Sequence, residues 1–292
     1  MIDCSGDLDA QVRRMSVRLD RLRSLIDREI PIAPVHDVFQ VRLVGVGAGR
    51  AVARMPARSL TEQADTRCGG PLWVLADCAL GVSISSTLPE DRGITTLRLA
   101  MHQVASWWPG SGWVTCVGTV DDVDAEDGTS RGEVRDSEDR LLATFDTRCA
   151  VIPAPEHWLH RTPEPAPDGS DSDGQLDVEL TVEAAAVSMR ARTGSRLGNA
   201  RGAVQGGVMG LLVDRMLMPL LDQPDAAGER TPLRHDVEVH YLRGAGMNAD
   251  LTGTAEQVHG GRRLRTARAE ILDPRGRPAI TATGLAYPAA SG

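Results

Sequence analysis

One block recurs in this chain at a fixed distance. Asn199, Gly206 and Asp214 stand in the stretch Asn199–Asp214, and Glu62, Gly69 and Asp77 hold the same positions 137 residues earlier. Each copy reads as a polar turn, a glycine pair (Gly69 and Gly70, Gly206 and Gly207), and an apolar helix carrying one acid. The match extends beyond the block: Val41 and Leu43 map onto Val178 and Leu180, and Asp136, Arg140 and Thr144 onto Asp273, Arg277 and Thr281. A duplication that keeps a motif and a turn predicts two halves of one architecture, paired pseudo-symmetrically as two subunits of an isologous dimer would be.

The block has the elements of a reaction site. A helix start exposes unpaired N–H groups at the positive end of the helix dipole, and glycines let a ligand approach that backbone closely. Such a place holds an anion, or an oxygen that becomes anionic during a reaction. The acid lies two turns into a helix whose other residues (Leu72, Trp73, Val74, Leu75, Ala76, Cys78, Ala79, Leu80) are apolar on nearly every face. That pattern marks a buried helix, where an unpartnered polar group costs about 2–7 kcal/mol. Either local backbone amides satisfy the acid, or the chain uses it.

The rest of the chain alternates like β-structure. Residues 8–29 carry apolar side chains at helical spacing up to Pro31 and Pro34, which predicts an amphipathic helix. Val38–Arg54 reads as strand, with the alternation slipping by one near Gly45, as a bulge would cause, and Gly47 and Gly49 marking a bend. A helix is expected over 70–87. Strands are expected near 94–105, 113–122, 130–135 and 140–152, then 176–192, 233–243, 249–259, 262–273 and 278–287. A second helix covers 207–222, with Pro219 expected to loosen its last turn. This is an α+β order. Its divisions are an N-terminal helix (1–35), a first domain (36–153), a Pro-, Asp- and Ser-rich linker (154–175) and a second domain (176–292).

Composition narrows the function. The net charge is −8, all 32 basic residues are arginine, and aromatics are 3% of the chain. An acidic chain without basic runs argues against a nucleic-acid partner. The five cysteines form no Cys-x-x-Cys pair, which reads as a reduced, cytoplasmic protein with no thiolate metal site. The first residues lack the pattern of a signal peptide, and no apolar run is long enough to span a bilayer. The seven histidines are scattered, and no Gly-x-Ser-x-Gly elbow appears.

The spacing Asn-x-x-Gly-x-x-(His or Gln)-Gly-Gly-x6-Asp resembles the signature of the PaaI and 4-hydroxybenzoyl-CoA type thioesterases, of the hotdog-fold superfamily. The second copy matches at Asn199, Gly202, Gln205, Gly206, Gly207 and Asp214. The first departs at Glu62, Asp65 and Cys68 and keeps Gly69, Gly70 and Asp77. The resemblance implies a double hotdog, in which each long helix is wrapped by a curved antiparallel sheet, with active sites between the halves. One site would combine Asn199 and Gly206 with Asp77, the other Glu62 and Gly69 with Asp214. It implies hydrolysis of an acyl-CoA or acyl-carrier-protein thioester, with the Gly206 amide stabilising the oxyanion, Asp77 as nucleophile or base, and Asn199 orienting water or substrate. Neither metal nor cofactor is required. Gln205, Gly207 and Gly70 would line the substrate path. Arg262 and Arg263, read as opening a strand, are candidates for the coenzyme phosphates. Trp107, Trp108 and Trp113 are candidates for an acyl pocket or for packing. Two other readings compete: a non-catalytic hotdog that binds an acyl thioester or a partner, and a hydratase, which would need a His where Cys68 and Gln205 stand. Further pairing into a homo-oligomer is expected from the resemblance.

Overall fold

The computed structural model describes residues 17–60, 69–105, 111–154, 176–199, 201–223 and 233–289. Glu62, Asp65, Cys68, Trp107 and Trp108, nearly all of the linker, and the start of the N-terminal helix lie outside the described residues.

The described residues form one twelve-stranded antiparallel sheet and two long helices. The first half runs α1 (17–27), α2 (Pro34–Val38), β1 (Arg42–Gly47), β2 (Arg50–Pro56) and the long helix α3 (Leu72–Ser85). It continues as β3 (Arg92–Gln103), β4 (Trp113–Val123), β5 (Asp127–Arg135) and β6 (Leu141–Pro153). The second half runs β7 (Leu176–Val182), β8 (Ala186–Thr193), α4 (Gly206–Leu221), β9 (Leu233–Tyr241), β10 (Asp250–Gly260), β11 (Arg265–Leu272) and β12 (Pro278–Pro288). The sheet order is β1-β2-β4-β5-β6-β3-β9-β12-β11-β10-β8-β7. Read outward from the centre, the two halves have the same order, and they meet where β3 pairs with β9, Ala100 opposite Glu238. Arg98 spans that junction, with Nε 2.6 Å from Glu238 and a second pairing to Asp146.

Strand alternation decides the faces. In β5 and β8 every second residue is buried, and these inward rows close over α3 and α4. Both helices are apolar on almost all sides because each packs against sheet on one side and against the other helix on the other. At that crossing, a Cβ on Gly207 would lie 2.5 Å from the backbone of Trp73 and Val74. Only glycine allows the approach.

Several sequence expectations change in detail. The slip near Gly45 is present: the β1–β2 register shifts between Leu43 and Gly45. The strand begins at Arg42 rather than Val38, because Pro34 opens the one-turn helix α2 and Gln40 then takes a positive φ of 54°. The span 176–192 is a hairpin, not one strand; its turn at 183–185 is Glu-Ala-Ala, without the Gly, Pro or Asn that usually marks one. Helix α4 passes through Pro219 and continues to Leu221.

Candidate active site

Neither long helix caps itself. The N-caps of α3 and α4 are Pro71 and Gln205; neither makes a side-chain capping bond, and neither helix has an acid in its first turn. Helix N-termini leave donors that must be satisfied elsewhere, and here each helix supplies the other's acceptor. Asp214 on α4 accepts from the Gly70 amide at 3.0 Å, at the start of α3. Asp77 on α3 accepts from the Gly207 amide at the start of α4. The repeated Gly-Gly-and-Asp pattern is therefore a reciprocal exchange between the halves.

The two exchanges have different surroundings. Asp77 retains partial solvent contact on the wall of a cavity of about 690 Å³. Asn199, Arg201, Gln205, Gly206, Thr96 and Tyr241 line the same cavity. Asp214 is fully buried. Trp73 and Met101 close the space in front of it: a Cβ on Gly69 would meet Met101 Sδ at 2.8 Å and Trp73 Nε1 at 3.3 Å. The pseudo-equivalent of Trp73 on α4 is Gly210, so the other side has no such plug. Burial raises both carboxyls, Asp77 to about 6 and Asp214 to about 7. The Gly207 amide, the Thr96 hydroxyl and the Arg201 charge each pull Asp77 back down. The Gly70 and Gly69 amides and the Trp73 indole do so for Asp214. The indole acts there by polarity rather than by a well-formed hydrogen bond, since among the described residues Trp73 Nε1 and Asp214 Oδ1 each lack a bonding partner.

Around Asp77 the geometry is close. Thr96 donates its hydroxyl to Oδ1 at 3.2 Å. A Cβ on Gly206 would lie 3.0 Å from the same oxygen and 3.3 Å from Thr96 Oγ1, so any side chain here would press on the acid and its hydroxyl partner. Among the described residues no acceptor takes the Gly206 N–H. Tyr241 donates to the Gly206 carbonyl at 2.8 Å and ties the first turn of α4 to β9. Gln205 Nε2 lies 3.3 Å from Nε2 of the buried His36, whose pKa is lowered to about 4 by burial and, less strongly, by the nearby Arg42 charge.

Asn199 reaches the cavity, but its Oδ1 is committed to the turn, accepting from the amides of Arg201 at 2.9 Å and Ala203 at 3.3 Å. Through that oxygen it shapes the loop that carries Arg201. Arg262 and Arg263 are exposed in the turn between β10 and β11, and the strand opens at Arg265. Arg265 stands beside Ala286, whereas the cavity residue Tyr241 stands beside Ile280, at the other end of β12. These two arginines are therefore not brought to the cavity; Arg201 and Arg243 are. Trp113 is 41% exposed, with the Arg54 guanidinium 4.3 Å above its ring, and does not line the cavity. Thr96, Arg201, Tyr241 and His36 were not singled out from the sequence as site residues. Only Arg201, two residues after Asn199 inside the motif's turn, carried a local signal. Among the described residues no group of His, Cys, Asp or Glu is placed to hold a metal ion, and no helix is long and apolar enough to cross a membrane.

No protein-family model matches the chain, and no curated protein matches it by sequence. Solved structures do match. An acyl-CoA thioesterase II, TesB2, from Mycobacterium marinum superposes with a TM-score of 0.58 at 12% identity, over 88% of this chain and 99% of that one. A tesB protein from Mycobacterium avium subsp. paratuberculosis gives 0.59 at 18% identity, over 89% and 100%. A hot dog fold protein of unknown function from Alicyclobacillus acidocaldarius gives 0.53 at 14% identity, over 88% and 98%. Identities this low speak to architecture and not to chemistry. The long helices wrapped by antiparallel sheet, and the matches over most of each chain, give this protein the hotdog fold.

Proposed function

We propose that the chain is an acyl-thioester hydrolase, built as a fused double hotdog with one active site. One observation carries this reading. The Asp77 carboxylate from the first half and the glycine start of α4 from the second meet on the wall of one open cavity. In the proposed reaction the thioester carbonyl faces the Gly206 N–H. That amide, at the positive end of α4, stabilises the oxyanion as the carbonyl becomes tetrahedral, an effect worth about 3–4 kcal/mol. Asp77, with a pKa near 6, is ionised at neutral pH and basic enough to take a proton from the water as its oxygen bonds to the carbonyl carbon. Collapse of the oxyanion then breaks the C–S bond, the acid is released, and the leaving thiolate takes up the proton from Asp77. Thr96 holds the carboxylate in place through Oδ1. Gly207 anchors the same acid, and Gln205 and Asn199 shape the turn over it. The cavity's apolar wall, which includes Val82, Ile94 and Leu97, suits an acyl chain. Arg201 and Arg243 supply positive charge on the same cavity, which suits the phosphates of coenzyme A or of a carrier protein's phosphopantetheine. The motif is of the PaaI type, although two of the similar structures bear the thioesterase II and tesB names.

Thiol release from short, long and aromatic acyl-CoAs tests the proposal, with wild type and Asp77→Asn run side by side. Turnover that collapses in the variant supports it. Turnover that survives moves the chemistry away from Asp77. Absence of turnover together with thermal stabilisation by an acyl-CoA favours a binding protein instead.

A further inference from the structure

One row of α3 stays open. Of the residues of that helix only Asp77, Gly81 and Ser85 are not buried. Spaced every fourth residue, they lie one above the other on a single face. All three line the cavity, and Ile94 of β3 faces Gly81. In α4 the repeat sets Asp214, Met218 and Asp222 at the same places. There Asp214 and Met218 are buried, and the row is filled.

The middle of the row is glycine for no reason internal to the fold. Gly81 lies inside α3, where glycine is less stable than alanine because it loses more backbone freedom on folding. Its φ is not in the left-handed region. Among the described residues an added Cβ would meet one atom within 4 Å, Ile94 Cδ1 at 3.5 Å, which is an ordinary contact. Gly207 and Gly210 differ, since a Cβ on either would lie 2.5 Å from an atom of Trp73. What Gly81 preserves is space on a cavity wall, and such space serves what enters the cavity. A second group on that wall also lacks a partner: Gln205 is 5% exposed, and its Oε1 accepts from nothing among the described residues.

We propose that Gly81 sets the length of acyl chain that the cavity accepts. The inference rests on the hydrolase reading for the place of the thioester carbonyl, between Asp77 and the Gly206 N–H. From that point the charges separate two directions. Arg201 and Arg243, both from the second half, line the cavity and suit the phosphates of the thiol carrier. The α3 row has no charge beyond Asp77, so the acyl chain runs along it. At about 1.5 Å per residue, Gly81 lies roughly 6 Å from Asp77 along the helix and Ser85 roughly 12 Å. An extended chain with C–C bonds of about 1.5 Å advances roughly 1.25 Å per carbon, so it passes Gly81 near the fifth carbon and reaches Ser85 near the ninth or tenth. Helix α3 ends there. A side chain at position 81, such as the methionine of the second half, would stand across that path.

Thiol release from butyryl-CoA and octanoyl-CoA by the full chain tests this. Calorimetric binding of the thioethers S-butyl-CoA and S-octyl-CoA, which cannot be hydrolysed, is read in parallel. Wild type should favour the longer member of each pair. Gly81→Met should cut the octanoyl-to-butyryl ratio of kcat/KM, and the matching ratio of affinities, by about 10–200-fold, the range for a methylene that a pocket cannot hold. Gly81→Ala, which the fold accommodates, should raise Tm and cut both ratios by less; it carries the test should Gly81→Met fail to fold. Ratios that both variants leave unaltered overturn the inference. So does a wild-type preference for the shorter chain, or a lower Tm in Gly81→Ala, which would return the glycine to the fold. If no ester is hydrolysed but the affinity ratios fall as expected, the length assignment stands and the hydrolase reading fails.

Discussion

Asp77 and Asp214 occupy the same place in two copies of one motif, and the structure gives them different surroundings. Both accept hydrogen bonds from the glycine amides of the opposite helix, and burial raises both. What separates them is what stands in front. Asp77 faces a cavity of about 690 Å³, whereas Asp214 faces Trp73 and Met101. The lesson is that the motif itself is a structural device, a carboxylate exchanged between two helix N-termini. Access, decided by residues outside the motif, converts one copy into a candidate for catalysis.

The comparison breaks most sharply on activity. Removing a positioned base costs about 10²–10⁴-fold, so Asp77→Asn should lower kcat by that range, while Asp214→Asn should leave kcat and KM within about threefold of wild type, read under identical assay conditions. The reverse ranking would show that the cavity does not mark the reacting acid. Thr96→Val should have a smaller effect. The hydroxyl stabilises the ionised Asp77, so its loss should move the acidic limb of the pH–rate profile upward from about 6 and lower kcat/KM about tenfold at pH 6. An unmoved limb would show that the hydroxyl does not act on Asp77.

The smallest effect concerns stability. Asp214 is raised to about 7 in the fold, above its ordinary value of 3.8. The unfolded chain releases this proton first, so the native state is favoured most below pH 3.8, and that contribution is lost progressively as pH rises towards 7. Above that, a buried charge remains, held by the Gly70 and Gly69 amides. Asp214→Asn keeps an oxygen acceptor without the charge and should raise Tm by a few degrees at pH 8 and by less at pH 5. A lower Tm at pH 8 would show that the carboxylate's charge is needed at the start of α3.

The repeat spacing, the alternation of apolar residues and the turn signals were enough to place both long helices and most strands within a few residues. These signals are local. The hairpin at 183–185 was missed because Glu-Ala-Ala carries no turn chemistry, and α2 was missed because one turn after a proline is too short to show a period. The site divides the same way. Asp77, Gly206 and Gly207 could be named from their spacing. Thr96, Tyr241 and His36 could not, since each reaches the cavity from an element whose own pattern only says strand or short helix. Arg262 and Arg263 looked suited to phosphate because adjacent arginines are conspicuous, but the register of β11 and β12 sets them at the far end of the sheet.

The sequence by itself determined that the chain would be two copies of one helix-and-sheet unit, each with an acid inside its helix. Periodicity and composition act on neighbouring residues, and a duplication is visible at any separation. Only the tertiary structure decided that each acid caps the other half's helix, and that Trp73 and Met101 close one site while Gly210 leaves the other unplugged. Which space stays open depends on side chains that converge from two strands, three helices and the loops between them, and no local pattern encodes that sum.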